Sequence, residues 1–144
     1  MVRPKFVKAA VKDGEVVKEY PTEVINPKIC SDHTLTQIRE ILRKVVSQGL
    51  AKPAGSKQFS VSGKTGTAQN RGHDHSVFMG FAPMNDPKIA IAVYVENGGW
   101  GADYGVPLGT LMMEQYLNGK LSPESEKLAE MYQQRHIGYG TADR

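Results

Sequence analysis

The chain has 144 residues, of which 40% are hydrophobic and 23% are charged, as in an ordinary globular protein. This length allows one domain with a real core, and the composition excludes the fibrous, collagen-like and disordered classes. No apolar run approaches the roughly 18 residues of a membrane-spanning helix, so we expect no membrane-spanning segment in this chain. The net charge of +3 comes from 18 basic and 15 acidic side chains spread along the sequence. Without a basic cluster, no nucleic-acid partner is expected.

The chain has a single cysteine, Cys30, which excludes an internal disulfide. His33 follows three residues later, so a nucleophilic or metal-binding pair has to be considered. We favour a small residue beside a helix start, because a buried thiol behaves as a small hydrophobic side chain.

The first predicted element is a β-hairpin. Residues 6–11 and 16–20 form two apolar runs, and Asp13 and Gly14 between them suit the positive backbone angles of a tight turn. A helix is predicted next, with Thr34 as its N-cap, Gln37 completing a capping box and Gly49 at its end. Its apolar stripe consists of Leu35, Ile38, Ile41, Leu42, Val45 and Val46.

Three strands are predicted in the middle of the chain. The first covers residues 59–62 and continues into 63–69, the second covers 77–82, and the third covers 89–95. The second is apolar on both faces, as in a buried central strand. In the third, Ala90 and Ala92 share one face and leave room for a helix to pack closely. The turn at 83–87 predicts that strands two and three are antiparallel.

Two helices are predicted after the strands. One runs from about Pro107 to a stop at Asn118 and Gly119, and a shorter one begins at Ser122. The fold class is therefore α/β (α+β), with antiparallel sheet strands flanked by helices. We predict one structural portion over residues 1–120, and a short helix with a flexible tail over 121–144.

The sequence Gly63-Lys64-Thr65 invites comparison with a phosphate-binding loop. That loop requires a glycine five positions earlier, where Gln58 stands, and a helix directly after the Lys-Thr pair. Gly66 and Thr67 follow instead, as in a strand, so we do not expect nucleotide binding.

The alternative is a Lys-Thr-Gly-Thr strand beside an acyl-transfer site. Lys64, Thr65 and Thr67 offer an ammonium and two hydroxyls as donors for a substrate carboxylate. Gly66 lets a substrate backbone approach the strand edge, where a free N–H stabilises an oxyanion. Strand alternation places Thr65 and Thr67 on one face and Lys64 on the other, so all three converge only at an edge or a bulge. The competing interpretation is that these residues form an exposed polar strand with no role in binding.

The order of motifs favours the acyl-transfer interpretation. Gly63-Lys64-Thr65-Gly66-Thr67-Ala68-Gln69 is followed by residues 75–83 (His-Ser-Val-Phe-Met-Gly-Phe-Ala-Pro), by residues 96–99 (Glu-Asn-Gly-Gly) and by the Pro107 helix. In order and spacing, residues 1–120 resemble penicillin-binding transpeptidases. The Gly-Gly-Trp-Gly stretch at 98–101 resembles the elongation-type, penicillin-binding protein 2 branch of class B.

Two of the three motifs of this class are absent. The class carries Ser-x-x-Lys, Ser-Asp-Asn and Lys-Thr-Gly, and only the last of these is present, at residues 64–66. None of the eight serines has lysine three residues on, and none has asparagine two residues on. The chain thus resembles the C-terminal part of a transpeptidase domain, an incomplete form of the penicillin-binding/β-lactamase-like fold without its nucleophile.

The resemblance implies a serine acyl-enzyme mechanism on D-alanyl-D-alanine stem peptides of peptidoglycan, with β-lactams as the other ligands. It implies that Lys64 and Thr67 are catalytic, that Lys64, Thr65, Gly66 and Thr67 bind substrate, and that the Thr67 N–H supplies half of the oxyanion hole. It implies no cofactor and no metal, and an extracytoplasmic (periplasmic) catalytic domain anchored in the cell inner membrane. The isolated chain is expected to be inactive.

In the family the sheet also uses strands from the start of the domain, so the third strand here is expected to lack a neighbour and to promote self-association. Two other functions remain open. One is a non-catalytic binding or scaffold module that retains this part of the fold. The other is a hydrolase of the β-lactamase type, for which no Glu or Asp lies in a recognisable place.

Two further features are weaker candidates. His73, Asp74 and His75 form an incomplete ligand set, which we interpret as a loop between strands rather than a metal site. We interpret Trp100 as a loop anchor rather than a platform for substrate.

Overall fold

The structure is a computed structural model that describes residues 1–51, 56 and 58–138. The chain divides into two compact units, Met1–Thr36 and Gln37–Arg144. The predicted tail residues 139–144 and loop residues 52–55 and 57 lie outside the described part. The mixed α/β class with antiparallel sheets flanked by helices is confirmed.

The first unit contains the predicted hairpin. Strands β1 (Ala9–Lys12) and β2 (Glu15–Glu19) pair antiparallel. Asp13 and Gly14 join them with φ values of 53° and 85°, the left-handed conformation of a tight hairpin turn. Near the chain start, Arg3 forms an ion pair with Glu23 at 2.6 Å.

Helix α1 (Asp32–Ser47) begins two residues before the predicted cap. The proposed N-cap Thr34 was wrong. The Ser31 Oγ accepts the Thr34 N–H at 3.1 Å, and the Ser31 carbonyl accepts the first helical N–H, from Leu35. Ser31 is therefore the cap, and Thr34 occupies the third helical position. Both are good cap residues, so local preference alone did not separate them.

The second unit is built on the sheet β3 (Ser62–Ala68), β4 (His75–Ala82) and β5 (Ile89–Val95), in that spatial order and antiparallel throughout. Residues 59–61, predicted as strand, precede β3. Of these, Val61 is buried and its carbonyl accepts the Arg43 guanidinium at 3.1 Å. Among the described residues, β5 pairs only with β4.

Helices α2 (Gly105–Asn118) and α3 (Pro123–Gln133) follow the sheet. As predicted, Gly119 ends α2, in the left-handed conformation with φ 73°. Ser122 caps α3, its hydroxyl accepting the Ser125 N–H at 3.3 Å. The boundaries of helices α2 and α3 agree closely with those predicted from the sequence.

The core lies between α2 and one face of the sheet. Its fully buried members are Val46, Ala51, Val61, Phe78, Ala82, Val106 and Met113. Helix α2 approaches β4 so closely that a Cβ on Gly109 would lie 2.8 Å from the Phe78 ring. Of the α1 stripe, only Val46 is buried, whereas Leu35, Ile38 and Ile41 are exposed.

The opposite face of the sheet differs from the sequence-based expectation. Ala90 and Ala92 are exposed, and α2 packs on the other face, where Gly109 lies against Val93. They line an apolar cavity of about 430 Å³, together with Met79, Phe81 and Leu42. Met79 is 59% exposed, so β4 is central in the sheet but buried on one face only. Ile89, Ile91 and Val93 lie on the face of β5 toward α2, where their bulky apolar side chains fill the space under the helix.

Candidate functional site: the free edge of strand β3

Strand β3 forms one edge of the sheet and carries the four candidate residues Lys64 to Thr67. It pairs with β4 along its whole length, with Gly66 opposite Val77 and Thr67 opposite Ser76. In the described part of the chain, nothing pairs with its other side. The chain continues from Lys64 and Thr65 as strand rather than as helix, which agrees with the rejection of a phosphate-binding loop.

The direction of the backbone groups along β3 follows from a contact with Gly101. A Cβ on Gly101 would lie 2.6 Å from the Gly66 oxygen and also 2.6 Å from the Val77 oxygen. Two carbonyls this close must both lie between the strands, which makes Gly66 and Val77 a hydrogen-bonded pair. Because successive residues of an antiparallel strand point their N–H and C=O groups to opposite sides, the backbone groups of Thr65 and Thr67 face the free edge.

The Lys64 side chain bends toward this same edge. Its Nζ donates to the Thr65 carbonyl at 2.7 Å and lies 3.5 Å from the Thr65 Oγ1. Alternation alone would place Lys64 and Thr65 on opposite faces, so the flexible lysine stem overcomes the alternation. The structure thus brings the ammonium and the Thr65 hydroxyl together, and the Thr67 backbone lies about 7 Å further along the strand.

The Lys64 ammonium is available to an anion. The side chain is exposed, and no carboxylate forms an ion pair with it among the described residues. Its hydrogen bonds are to a carbonyl and a hydroxyl, neither of which neutralises its charge. An exposed, unneutralised ammonium beside a hydroxyl and an outward N–H is an arrangement that binds carboxylates.

The loop between β5 and α2 supports β3 from the core side. Gly101 contacts the backbone of β3 and β4, and any larger residue there would collide with both carbonyls. Ser76 fixes the loop further, because its Oγ donates to the Trp100 carbonyl at 2.7 Å and accepts the Gly105 N–H at 2.9 Å. Ser76 and Gly101 stand in the motifs quoted above, but no structural role was predicted for either residue. A serine within an otherwise apolar strand was the available clue.

The Trp100 ring does not act as the predicted anchor. Its side chain is 73% exposed, and the backbone of Trp100 makes the loop contacts instead. The Trp100 N–H donates to the Asp103 carboxylate at 3.0 Å, and the Asp103 carbonyl accepts the Tyr132 hydroxyl at 2.6 Å. Helix α3 therefore holds the loop through Asp103.

The histidine-rich segment has a structural role. His75 begins β4, two residues before the predicted start of the strand, and its Nδ1 accepts the Asn97 N–H at 2.9 Å, with its ring 5.2 Å from that of Tyr94. Within residues 1–51, 56 and 58–138, no three His, Cys, Asp or Glu side chains are grouped to hold a metal ion. Nor does that part of the chain contain a helix long and apolar enough to cross a membrane.

Comparisons with known proteins identify relatives of this chain. Residues 1–114 match the family model of the penicillin binding protein transpeptidase domain. The peptidoglycan D,D-transpeptidase MrdA of Haemophilus influenzae is 30% identical over 155 residues, covering 92% of this chain and 23% of the relative. The chain therefore spans about a quarter of the length of that relative.

Solved structures agree. Penicillin-binding protein 2 of Pseudomonas aeruginosa, in complex with WCK 5153, matches with a TM-score of 0.56 and 33% identity, over 75% of this chain and 24% of that one. Penicillin-binding protein A of Mycobacterium tuberculosis, a ceftriaxone acyl-enzyme complex, matches with a TM-score of 0.68 and 23% identity, over 81% of this chain and 28% of that one. The second likeness concerns the fold alone.

Proposed function

Because this chain belongs to the penicillin-binding protein transpeptidase domain family, we propose that it forms the substrate-clamping part of a peptidoglycan D,D-transpeptidase. The observation that carries the proposal is the free edge of β3, where the Lys64 Nζ lies 3.5 Å from the Thr65 Oγ1. The ligands are the D-alanyl-D-alanine end of a stem peptide and the β-lactams that resemble it.

Each candidate residue has a role in binding the substrate or its oxyanion. Lys64, Thr65 and Thr67 hold the carboxylate of the substrate or antibiotic, through the ammonium and the hydroxyls. Gly66 keeps the edge clear of side-chain atoms, so that the substrate backbone can lie along the strand. The backbone direction inferred above supports a role for the Thr67 N–H in binding the oxyanion of the tetrahedral intermediate.

The reaction requires a serine that this chain does not offer in the family's motif. None of its serines stands in Ser-x-x-Lys, so we propose that the nucleophile and the second oxyanion donor come from another part of the enzyme. The Thr67 N–H is then one of two donors, and the loss of one such donor costs about 100- to 1,000-fold in turnover. The isolated chain binds without acylating.

By its family we propose that the complete enzyme is anchored in the cell inner membrane, with its catalytic domain on the extracytoplasmic side. A second candidate function is a non-catalytic binding module that retains this part of the fold. Both candidates require that β3 recognises a carboxylate. They differ in whether a partner segment with a nucleophile restores acylation by a β-lactam.

The proposal is tested by the affinity of the full chain for acetyl-D-Ala-D-Ala, measured by ligand-observed NMR. The control ligand is the same peptide with a C-terminal amide, and the variants are Lys64→Met and Lys88→Met. Lys88 is also exposed but pairs with Asp86 at 2.5 Å in the β4–β5 turn. A charge-assisted bond contributes about 1.5–3 kcal/mol, so Lys64→Met weakens binding of the free carboxylate about tenfold or more.

The two controls decide the outcome. Lys88→Met retains wild-type affinity, and the amide peptide binds the wild type as weakly as it binds Lys64→Met. Equal affinity of the carboxylate and amide peptides for the wild type would contradict a carboxylate clamp on β3.

A further inference from the structure

The C-terminal end of helix α3 contacts the loop between β5 and α2 through Tyr132. The Tyr132 hydroxyl donates to the Asp103 carbonyl at 2.6 Å, and its ring packs edge-on against that of Tyr104, with 5.5 Å between the centroids. The Arg135 guanidinium lies over both rings, 4.7 Å from the Tyr132 centroid and 5.6 Å from the Tyr104 centroid. Two neighbouring loop residues are therefore held by one end of α3.

Asp103 connects these contacts to the rest of the loop. Its N–H donates to the Trp100 carbonyl at 2.8 Å, and its carboxylate accepts the Trp100 N–H at 3.0 Å. The two bonds run in opposite directions between the same two residues, so residues 100–103 form a closed turn. A contact that holds Asp103 therefore also holds Gly101, which lies inside the turn.

Gly101 brings this turn against the Thr65 side chain of β3. A Cβ on Gly101 would lie 3.0 Å from the Thr65 Cβ, so the backbone of the turn packs directly on the branch point of that side chain. Threonine has few stable χ1 rotamers because two heavy atoms branch from its Cβ, and a backbone beside the Cβ restricts them further. In the observed rotamer the Thr65 Oγ1 lies 3.5 Å from the Lys64 Nζ.

We propose that Tyr132 is a positioning residue for the carboxylate site, because it holds the turn at residues 100–103 that keeps the Thr65 hydroxyl beside the Lys64 ammonium. This inference rests on the proposed function of β3, in which both groups bind the carboxylate. Tyr132 acts through the turn and not on the ligand. The match to the family model covers residues 1–114, so the family resemblance assigns no role to Tyr132.

The Thr65 rotamer in the free chain gives the first test. Tyr132→Phe removes the hydroxyl and retains the ring that packs on Tyr104 and Arg135. We expect the three-bond coupling constants about the Thr65 χ1, measured by NMR, to change from those of one rotamer toward an average over several. The matched control is Tyr116→Phe, which removes the hydroxyl of an exposed tyrosine on α2 and leaves these couplings unchanged. Unchanged Thr65 couplings in Tyr132→Phe would overturn the proposal.

The affinity for acetyl-D-Ala-D-Ala tests the consequence for binding. The net contribution of one neutral hydrogen bond corresponds to roughly a two- to tenfold change in an equilibrium constant, so we expect Tyr132→Phe to weaken binding about threefold. Thr65→Val removes the hydroxyl that Tyr132 positions and keeps a side chain of similar shape. In the Thr65→Val background, Tyr132→Phe is expected to cause no further loss, because its effect passes through that hydroxyl.

Additive losses in the double variant would overturn the proposal, since a merely structural Tyr132 would weaken binding in both backgrounds. The amide-capped peptide separates this inference from the proposed function. Equal affinity of the wild type for the two peptides would reject the carboxylate site, and the positioning role of Tyr132 with it. A preference for the carboxylate peptide that Tyr132→Phe leaves unchanged would overturn the positioning role alone.

Discussion

Replacement of Ser76 by alanine tests how the loop before α2 is held against the strand that carries the site. Ser76 is fully buried, and its hydroxyl serves both as donor to the Trp100 carbonyl at 2.7 Å and as acceptor from the Gly105 N–H at 2.9 Å. Ser76→Ala removes both bonds and leaves the side-chain volume almost unchanged. The change therefore isolates the hydrogen bonds from packing.

The loss of stability depends on which of the two backbone partners of Ser76 is buried. Gly105 is buried, so its N–H loses its only side-chain partner and cannot easily bind water, at a cost of about 1–3 kcal/mol. Trp100 is exposed, so water can replace the hydrogen bond that its carbonyl loses. We therefore expect Ser76→Ala to lower the free energy of unfolding by about 2 kcal/mol, which corresponds to a fall of roughly 5–10 °C in Tm for a chain of this size.

Ser62 provides the matched control. It is also fully buried on a strand of the same sheet, but its Oγ has no hydrogen-bond partner among the described residues. Ser62→Ala is expected to leave stability within about 0.5 kcal/mol of wild type or to raise it, because a buried unpaired hydroxyl is unfavourable. Urea unfolding followed by circular dichroism measures both variants. Equal destabilisation by the two changes would refute the reasoning.

Three other predictions concern packing, pH and chemistry. Gly109→Ala forces a Cβ to 2.8 Å from the Phe78 ring and costs about 1–3 kcal/mol in thermal unfolding, whereas Gly138→Ala, with nothing within 4 Å, changes Tm little. Burial raises the pKa of Glu114, but hydrogen bonds from Ser122 and Ser125 lower it more, so the net pKa lies below the ordinary value of a glutamate. Its stabilisation of the α2–α3 junction is therefore complete above the ordinary glutamate pKa and is lost as pH falls through the lower folded-state value. Glu114→Gln shows a smaller loss of stability than wild type in acid unfolding, and equal losses would contradict this. Incubation with penicillin G leaves the intact mass of the chain unchanged, and a stable adduct would show that it contains its own nucleophile.

The elements that local sequence determines were predictable. Asp13 and Gly14 specify their hairpin because few residues adopt positive φ, and Gly119 ends α2 for the same reason. The alternation of β5 gave its boundaries, but the helix was expected on the face of Ala90 and Ala92 and packs on the other face. Where two local solutions compete, prediction was less certain, as with Ser31 and Thr34 at the start of α1.

The features that depend on distant parts of the chain were not predictable. Ser76 bonds to residues 24 and 29 positions away, and the role of Gly101 depends on two carbonyls from two strands. The position of the Lys64 ammonium depends on rotation about its side-chain bonds rather than on strand alternation. The candidate residues at the site were therefore identified from motif resemblance, whereas their support required the structure.

The most direct test of the carboxylate clamp is the set of backbone amide shifts in the full chain on addition of acetyl-D-Ala-D-Ala. We expect the largest shifts on Thr65 and Thr67, whose N–H groups face the free edge of β3, and no response from the β5 amides. The amide-capped peptide produces no such pattern. Shifts centred away from β3, or identical for both peptides, would contradict the assignment of this strand as the substrate-binding edge.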